Sequence, residues 1–87
     1  MEYRVYYRKA AEKYLDSQPK IVRQRIMGSI DRLPEGDVRK LRGRNGYRLT
    51  VGGFRILFDY IEEASGINVI IVDVAVIRPR GDAYKQR

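Results

Sequence analysis

Period-two alternation opens the chain. From Glu2 to Arg8, Tyr3, Val5 and Tyr7 alternate with Arg4 and Tyr6, and these residue types suit a pleated, half-buried surface, so the segment is predicted to be a strand. At Lys9 the period lengthens. Ala11, Tyr14 and Leu15 fall on one stripe of a helix over Lys9 to Asp16, which Ser17-Gln18-Pro19 interrupts. Pro19 suits the first position of a second helix, with Ser17 or Gln18 near its cap. That helix is expected to reach about Leu33, because Val22, Ile26, Ile30 and Leu33 keep one apolar face. Two helices joined by so short a break predict an antiparallel hairpin.

Pro34-Glu35-Gly36-Asp37 reads as a loop by composition. Period two then returns in Tyr47 to Val51 and Phe54 to Tyr60, with Gly52-Gly53 between them. A two-glycine link between β-formers predicts a tight hairpin, since both residues accept positive φ. Ile61 to Gly66 is predicted to turn, and Ile67 to Ile77 is the most apolar strand, expected at the centre of a sheet. The polar tail, Arg78 to Arg87, is expected to hold at most a short helical turn. The order is β-α-α-β-β-β. An antiparallel sheet with a helical hairpin on one face is the simplest packing, giving an α+β fold.

Length allows one domain, residues 1–87. An apolar share of 44% is too high for a disordered chain. The longest apolar run, Ile67 to Ile77, is broken by Asn68 and Asp73 and is too short to span a bilayer. Met1-Glu2-Tyr3-Arg4 has no apolar signal core. The sequence has no cysteine and no histidine. The first absence removes disulfides and thiolate chemistry and fits the cytoplasm. The second removes the side chain that titrates near neutral pH unaided, together with histidine metal sites. No metal and no small-molecule cofactor is expected.

The charge pattern adds the most. Net charge is +7. Between Arg39 and Phe58 stand Arg39, Lys40, Arg42, Arg44, Arg48 and Arg55 with no acid among them. A solvated sheet edge would also be charged, but clustered cations without countercharge favour an anionic partner. A two-residue turn at Gly52-Gly53 pairs Val51 with Phe54, Thr50 with Arg55, and Leu49 with Ile56. Tyr47, Leu49, Val51, Phe54, Ile56 and Phe58 then share the apolar face, and Arg48, Thr50 and Arg55 share the opposite one. The tail adds Arg78, Arg80, Tyr84 and Lys85, although Tyr84 could equally be packing. Arginines with a tyrosine can act on an RNA phosphodiester without a metal. The cations clamp the phosphate and stabilise its pentacoordinate transition state. They also lower the pKa of a neighbouring tyrosine or lysine, which can then take the 2′-hydroxyl proton. The products would be a 2′,3′-cyclic phosphate and a 5′-hydroxyl.

Lys40-Leu41-Arg42-Gly43, Tyr47-Arg48-Leu49, Gly53-Phe54-Arg55-Ile56-Leu57-Phe58 and Arg80-Gly81-Asp82-Ala83-Tyr84-Lys85 together resemble the RelE/ParE superfamily of bacterial toxins, and its RelE branch more than its ParE branch. The resemblance covers nearly the whole chain. It implies a microbial-RNase-like fold that enters the ribosomal A site and cleaves mRNA, with an acidic antitoxin as partner. Carried over by position, Arg48 and Arg55 hold the scissile phosphate. Arg80 takes the place of the late arginine, with Arg78 as a second candidate, and Tyr84 that of the tyrosine near the C-terminus. Arg39, Lys40, Arg42, Arg44 and Lys85 are expected to meet ribosomal RNA or the antitoxin. Two positions depart from the family pattern. Thr50 stands where one member has a lysine, and Pro79 where many have histidine. Three readings remain open: a ribosome-dependent mRNA endonuclease, a ParE-like inhibitor of DNA gyrase, and a ribosome- or RNA-binding module without catalysis.

Overall fold

A computed structural model describes residues 2–62 and 69–79. Strand β1 (Glu2–Tyr7) leads into helices α1 (Lys9–Asp16) and α2 (Lys20–Asp31), followed by β2 (Asp37–Lys40), β3 (Tyr47–Val51), β4 (Phe54–Glu62) and β5 (Val69–Pro79). The five strands form one sheet in the order β1-β5-β4-β3-β2. The pairings β2·β3, β3·β4 and β4·β5 are antiparallel, while β1 runs parallel to β5. The α+β architecture with both helices on one face is the one expected, with a fifth strand and one parallel pairing added to it. β5 is an interior strand, and the middle place belongs to β4.

Helix ends follow local chemistry. The Ser17 hydroxyl donates to the Tyr14 carbonyl at 2.6 Å and its backbone N–H to Lys13, closing α1 rather than capping α2. Pro19 is extended and stands one place before the helix proper. Its carbonyl accepts the first helical bond, from the Arg23 N–H at 2.9 Å. α2 stops at Asp31, two residues short of expectation, and Leu33 is buried in the turn that succeeds it. Helix α1 lies against β5 and β1, and α2 against β3.

The core forms between these helices and one face of the sheet. Ala11, Leu15, Ile26 and Ile30 meet Leu49, Val51, Ile56, Phe58, Val72, Val74 and Ile77. On this same face Tyr47, Phe58 and Tyr60 pack ring against ring, with centroids 5.2–5.7 Å apart.

Three expectations change. The loop predicted at Pro34 to Asp37 ends one residue early, because Asp37–Lys40 pairs with β3. Val38 is the residue of this strand that packs against the core. The last strand, expected to end at Ile77, runs on through Arg78 and Pro79, so Arg78 belongs to the sheet rather than the tail. Ile61 and Glu62, expected in a turn, belong to β4; the rest of that expected turn and the helical turn expected in the tail lie outside the described residues.

A bulge between the partners of Leu57 and Phe58 decides which way Asp73 points. Leu57 faces Val76 and Phe58 faces Val74, leaving Ala75 as the extra residue. The insertion switches the phase of β5. Ile77, Val74 and Val72 all reach the core, and Asp73 turns to the opposite face, whereas a regular strand would have put it on the core face among apolar side chains.

Candidate nucleic-acid interface

The face of the sheet away from the helices carries the arginines. The Gly52-Gly53 turn forms with positive φ at Gly52 alone (53°), the demand of a type II′ turn. A Cβ on Gly52 would lie 2.5 Å from the Arg25 guanidinium, so the turn sits directly against α2. The pairing is the expected one: Val51 with Phe54, Thr50 with Arg55, Leu49 with Ile56. Leu49, Ile56 and Phe58 are buried, whereas Arg55 is exposed and Arg48 and Thr50 are half-buried.

The neighbouring strands extend this surface. Arg39 of β2 is the direct partner of Arg48, and Arg78 of β5 is the direct partner of Arg55. Arg48 and Arg55 are diagonal neighbours across β3·β4. Four arginines from four adjacent strands therefore share one face. Among the described residues no carboxylate reaches Arg48, Arg55 or Arg78 within ion-pair distance, and Arg39 meets Asp37 only at 3.9 Å. The Arg48 Nε is buried and has no hydrogen-bond partner among the described residues. Unneutralised guanidinium groups on an open face suit phosphate oxygens.

Lys40 separates from Arg39. It pairs with Tyr47 and lies on the helix side of the sheet. Arg42 and Arg44 occupy the exposed loop between β2 and β3, which the Leu41 N–H closes onto the Gly46 carbonyl at 3.0 Å. Gly46 has φ 114°, and a Cβ there would press on the Phe58 carbonyl at 3.2 Å. Arg80, Tyr84 and Lys85 lie outside the described residues.

The alternation Arg4-Tyr6-Arg8 also belongs to the open face, a period-two signal in the sequence that carries the site onto β1. Arg8 grips Asp73 at two points, Nε to Oδ1 at 3.1 Å and Nη2 to Oδ2 at 2.6 Å. The hydrogen bond to Asp73, then its charge, raises the Arg8 pKa. Asp73 itself is 5% exposed. Beside this pair lies a shallow cleft of about 160 Å³, lined by Arg8, Arg44, Asn45, Leu57, Asp59 and Asp73. The Asp59 Oδ1 accepts the Tyr60 backbone N–H at 2.8 Å.

The tyrosines whose acidity shifts do so in the wrong direction for a base. Burial, then Asp31, pushes Tyr7 up to about 12. Burial, then Tyr3 and Tyr47, raises Tyr60. Both belong to the side of the sheet away from the arginines. Among the described residues no three metal-ligating side chains come together, and no helix is long and apolar enough to cross a membrane.

No family model and no curated protein matches the sequence. Solved structures do. The archaeal RelE–RelB complex from Pyrococcus horikoshii contains a chain 26% identical to this one, with 93% of this chain and 98% of that chain covered and a TM-score of 0.66. The toxin–antitoxin complex RelBE2 from Mycobacterium tuberculosis matches at 20% identity, 92% and 100% coverage and TM-score 0.67. The RelB–RelE antitoxin–toxin complex from Methanococcus jannaschii matches at 24% identity, 92% and 95% coverage and TM-score 0.61. The two helices on a five-stranded sheet thus define a RelE-like fold, matched over nearly its full length. The chain is similar in fold, and over nearly its full length in sequence, to RelE chains solved in complex with RelB.

Proposed function

We propose that this chain is the toxin of a toxin–antitoxin pair and an endonuclease that cuts mRNA in the ribosomal A site, in the cytoplasm. The observation that carries the reading is Arg55 directly opposite Arg78, with Arg48 diagonal to it and no carboxylate partner on any of the three among the described residues. In this reading the Arg55 and Arg78 guanidinium groups hold the non-bridging oxygens of the scissile phosphate. The adjacent 2′-hydroxyl oxygen forms a bond to phosphorus, the bond to the 5′-oxygen breaks, and the equatorial charge of the pentacoordinate state falls on the arginines. The 2′-hydroxyl proton leaves to a base and a proton reaches the departing 5′-oxygen. Tyr84, with Arg80 beside it in the sequence pattern, is the proposed proton carrier. Thr50, opposite Arg55, offers only a neutral hydroxyl. Positioning of the mRNA by the ribosome supplies much of the rate, since no histidine is available.

Matches to chains solved in RelE–RelB complexes support an antitoxin partner. An excess of seven positive charges makes an acidic one the natural fit. Arg42 and Arg44 of the exposed loop, Lys40 on the helix side and Lys85 are its proposed contacts, or those of ribosomal RNA.

Induction in a translating extract should create new mRNA 5′-ends inside codons, carrying 5′-hydroxyl groups. Intact mRNA, or gyrase-dependent double-strand DNA breaks in its place, would overturn the reading.

A further inference from the structure

We propose that Arg39 and Arg48 form a second phosphate seat, so that a single-stranded RNA backbone crosses the sheet from β5 to β2 over two arginine pairs. The inference rests on the open face being an RNA site, and it moves Arg39 from a docking surface to the substrate path.

Two arginine pairs stand directly across from each other in this sheet, Arg39 with Arg48 and Arg55 with Arg78, whereas the acidic pair on the same face, Asp59 with Asp73, has Arg8 as its countercharge. Opposed like charges destabilise a sheet. One pair could be tolerated as surface charge. Two on one face, in adjoining rows, make an arrangement that folding alone does not favour and that bound anions relieve.

The arrangement also has a direction. On this face β3 carries Arg48 and then Thr50, β4 carries Arg55 and then Leu57, and β5 carries Arg78 and then Val76. No strand from β3 to β5 contributes a second arginine from these rows. On β2 the residue next to Arg39 is acidic, Asp37. The basic track therefore runs across the strands and not along any of them. Its members are held differently. Arg48 is half-buried, with its Nε enclosed and unpartnered. Arg39 is 73% exposed, and its 3.9 Å approach to Asp37 is a weak tie that a phosphate can displace.

The centres of the two pairs are offset by two strand spacings and one row, roughly 12 Å on the backbone. One phosphate cannot fill both seats, but a chain of phosphates can. The ligand is thus an oligonucleotide, read through its backbone without regard to base. Arg39 is a positioning residue for it, acting on a phosphate other than the one that reacts.

The test uses 2′-O-methyl RNA, which has no attacking hydroxyl and is bound without being cut. A tetranucleotide and a mononucleotide 3′-phosphate are titrated by NMR over a range of salt concentrations. Arg39→Gln should weaken the tetranucleotide roughly five- to tenfold and reduce its salt slope by about 0.7. It should leave the mononucleotide within twofold. Arg55→Gln should weaken both ligands. Lys20→Gln, which removes the same charge from α2 on the other side of the sheet, should change neither. Equal effects of Arg39→Gln on both ligands, or none on either, overturn the track. The assay needs neither ribosome nor cleavage, so the two readings fail separately. An Arg39 effect with intact mRNA in the translating extract overturns the nuclease alone. Cleavage without the Arg39 effect overturns the track alone.

Discussion

Arg55 and Ile56 are consecutive residues of one strand, and they belong to two different problems. Ile56 is completely buried among α-helical and strand side chains. Arg55 points the other way, into solvent, opposite another arginine. The same division holds for Leu49 against Arg48 and for Val72 against Asp73. The covered face gains stability from apolar burial. The open face gives some of it up through like-charge repulsion, as sites shaped for a ligand commonly do. Because strand side chains alternate, the two demands are met without sharing a single position. Stability and activity should therefore respond to different mutations, even at adjacent residues.

The largest effect is expected from Ile56→Ala, which should lower stability by about 3–4 kcal/mol in urea unfolding by leaving a cavity at a fully enclosed site. Cleavage per folded molecule should stay close to that of the parent. Arg55→Ala should do the reverse, with cleavage in a translating extract down about 100-fold and the unfolding midpoint unchanged or slightly raised. If both variants lose stability alike, the separation of the faces is wrong.

Arg8 and Asp73 sharpen the comparison because they place a charge pair on the open face that serves the fold. Arg8→Ala leaves a carboxylate that is 5% exposed without its partner. Asp73→Ala leaves an arginine whose side chain is 58% exposed and can turn to water. Thermal melts should rank Arg8→Ala as the more damaging change and Asp73→Ala as the milder.

Tyr7 supplies the matching case on the covered side. Its hydroxyl is buried and has no partner among the described residues. Tyr7→Phe should raise stability by about 1 kcal/mol. The pH dependence has a definite sign. The unfolded chain loses this proton near the ordinary value of 10 and the folded chain only near about 12. The favourable contribution is complete below pH 10 and declines as pH rises from 10 through 12. Tyr7→Phe should remove that part of the alkaline decline in denaturation curves. Smallest of all, Arg48→Gln should gain a few tenths of a kcal/mol by relieving Arg39, while weakening RNA binding.

Much of the division between faces is legible in the sequence. Tyr47 to Val51 and Phe54 to Phe58 alternate cleanly, and the glycine pair fixes their register, so the orientation of Arg48 and Arg55 comes from local rules. What escapes depends on distant partners. β2 is four residues long with one inward apolar side chain, too short a pattern to separate from the loop before it. The parallel pairing of β1 with β5 joins residues as far apart as Glu2 and Val69. The bulge at Ala75 cannot be seen in β5 alone, because Val74-Ala75-Val76 reads as an unbroken apolar run. Hence the sequence leaves Arg78 as an alternative to Arg80, and only the strand register sets it opposite Arg55. Arg8 escapes for the same reason, since its partner depends on the switched phase of β5.

The place of β1 in the sheet has a consequence for how the protein is made. It is an edge strand whose one neighbour is β5, the last described element. A nascent chain exposes Glu2–Tyr7 early and must hold that segment unpaired until Val69–Pro79 has emerged. Arg78 arrives on the same late strand. The arginine set is therefore not assembled before β5 has left the ribosome, and the RNA cleavage proposed above can begin only then.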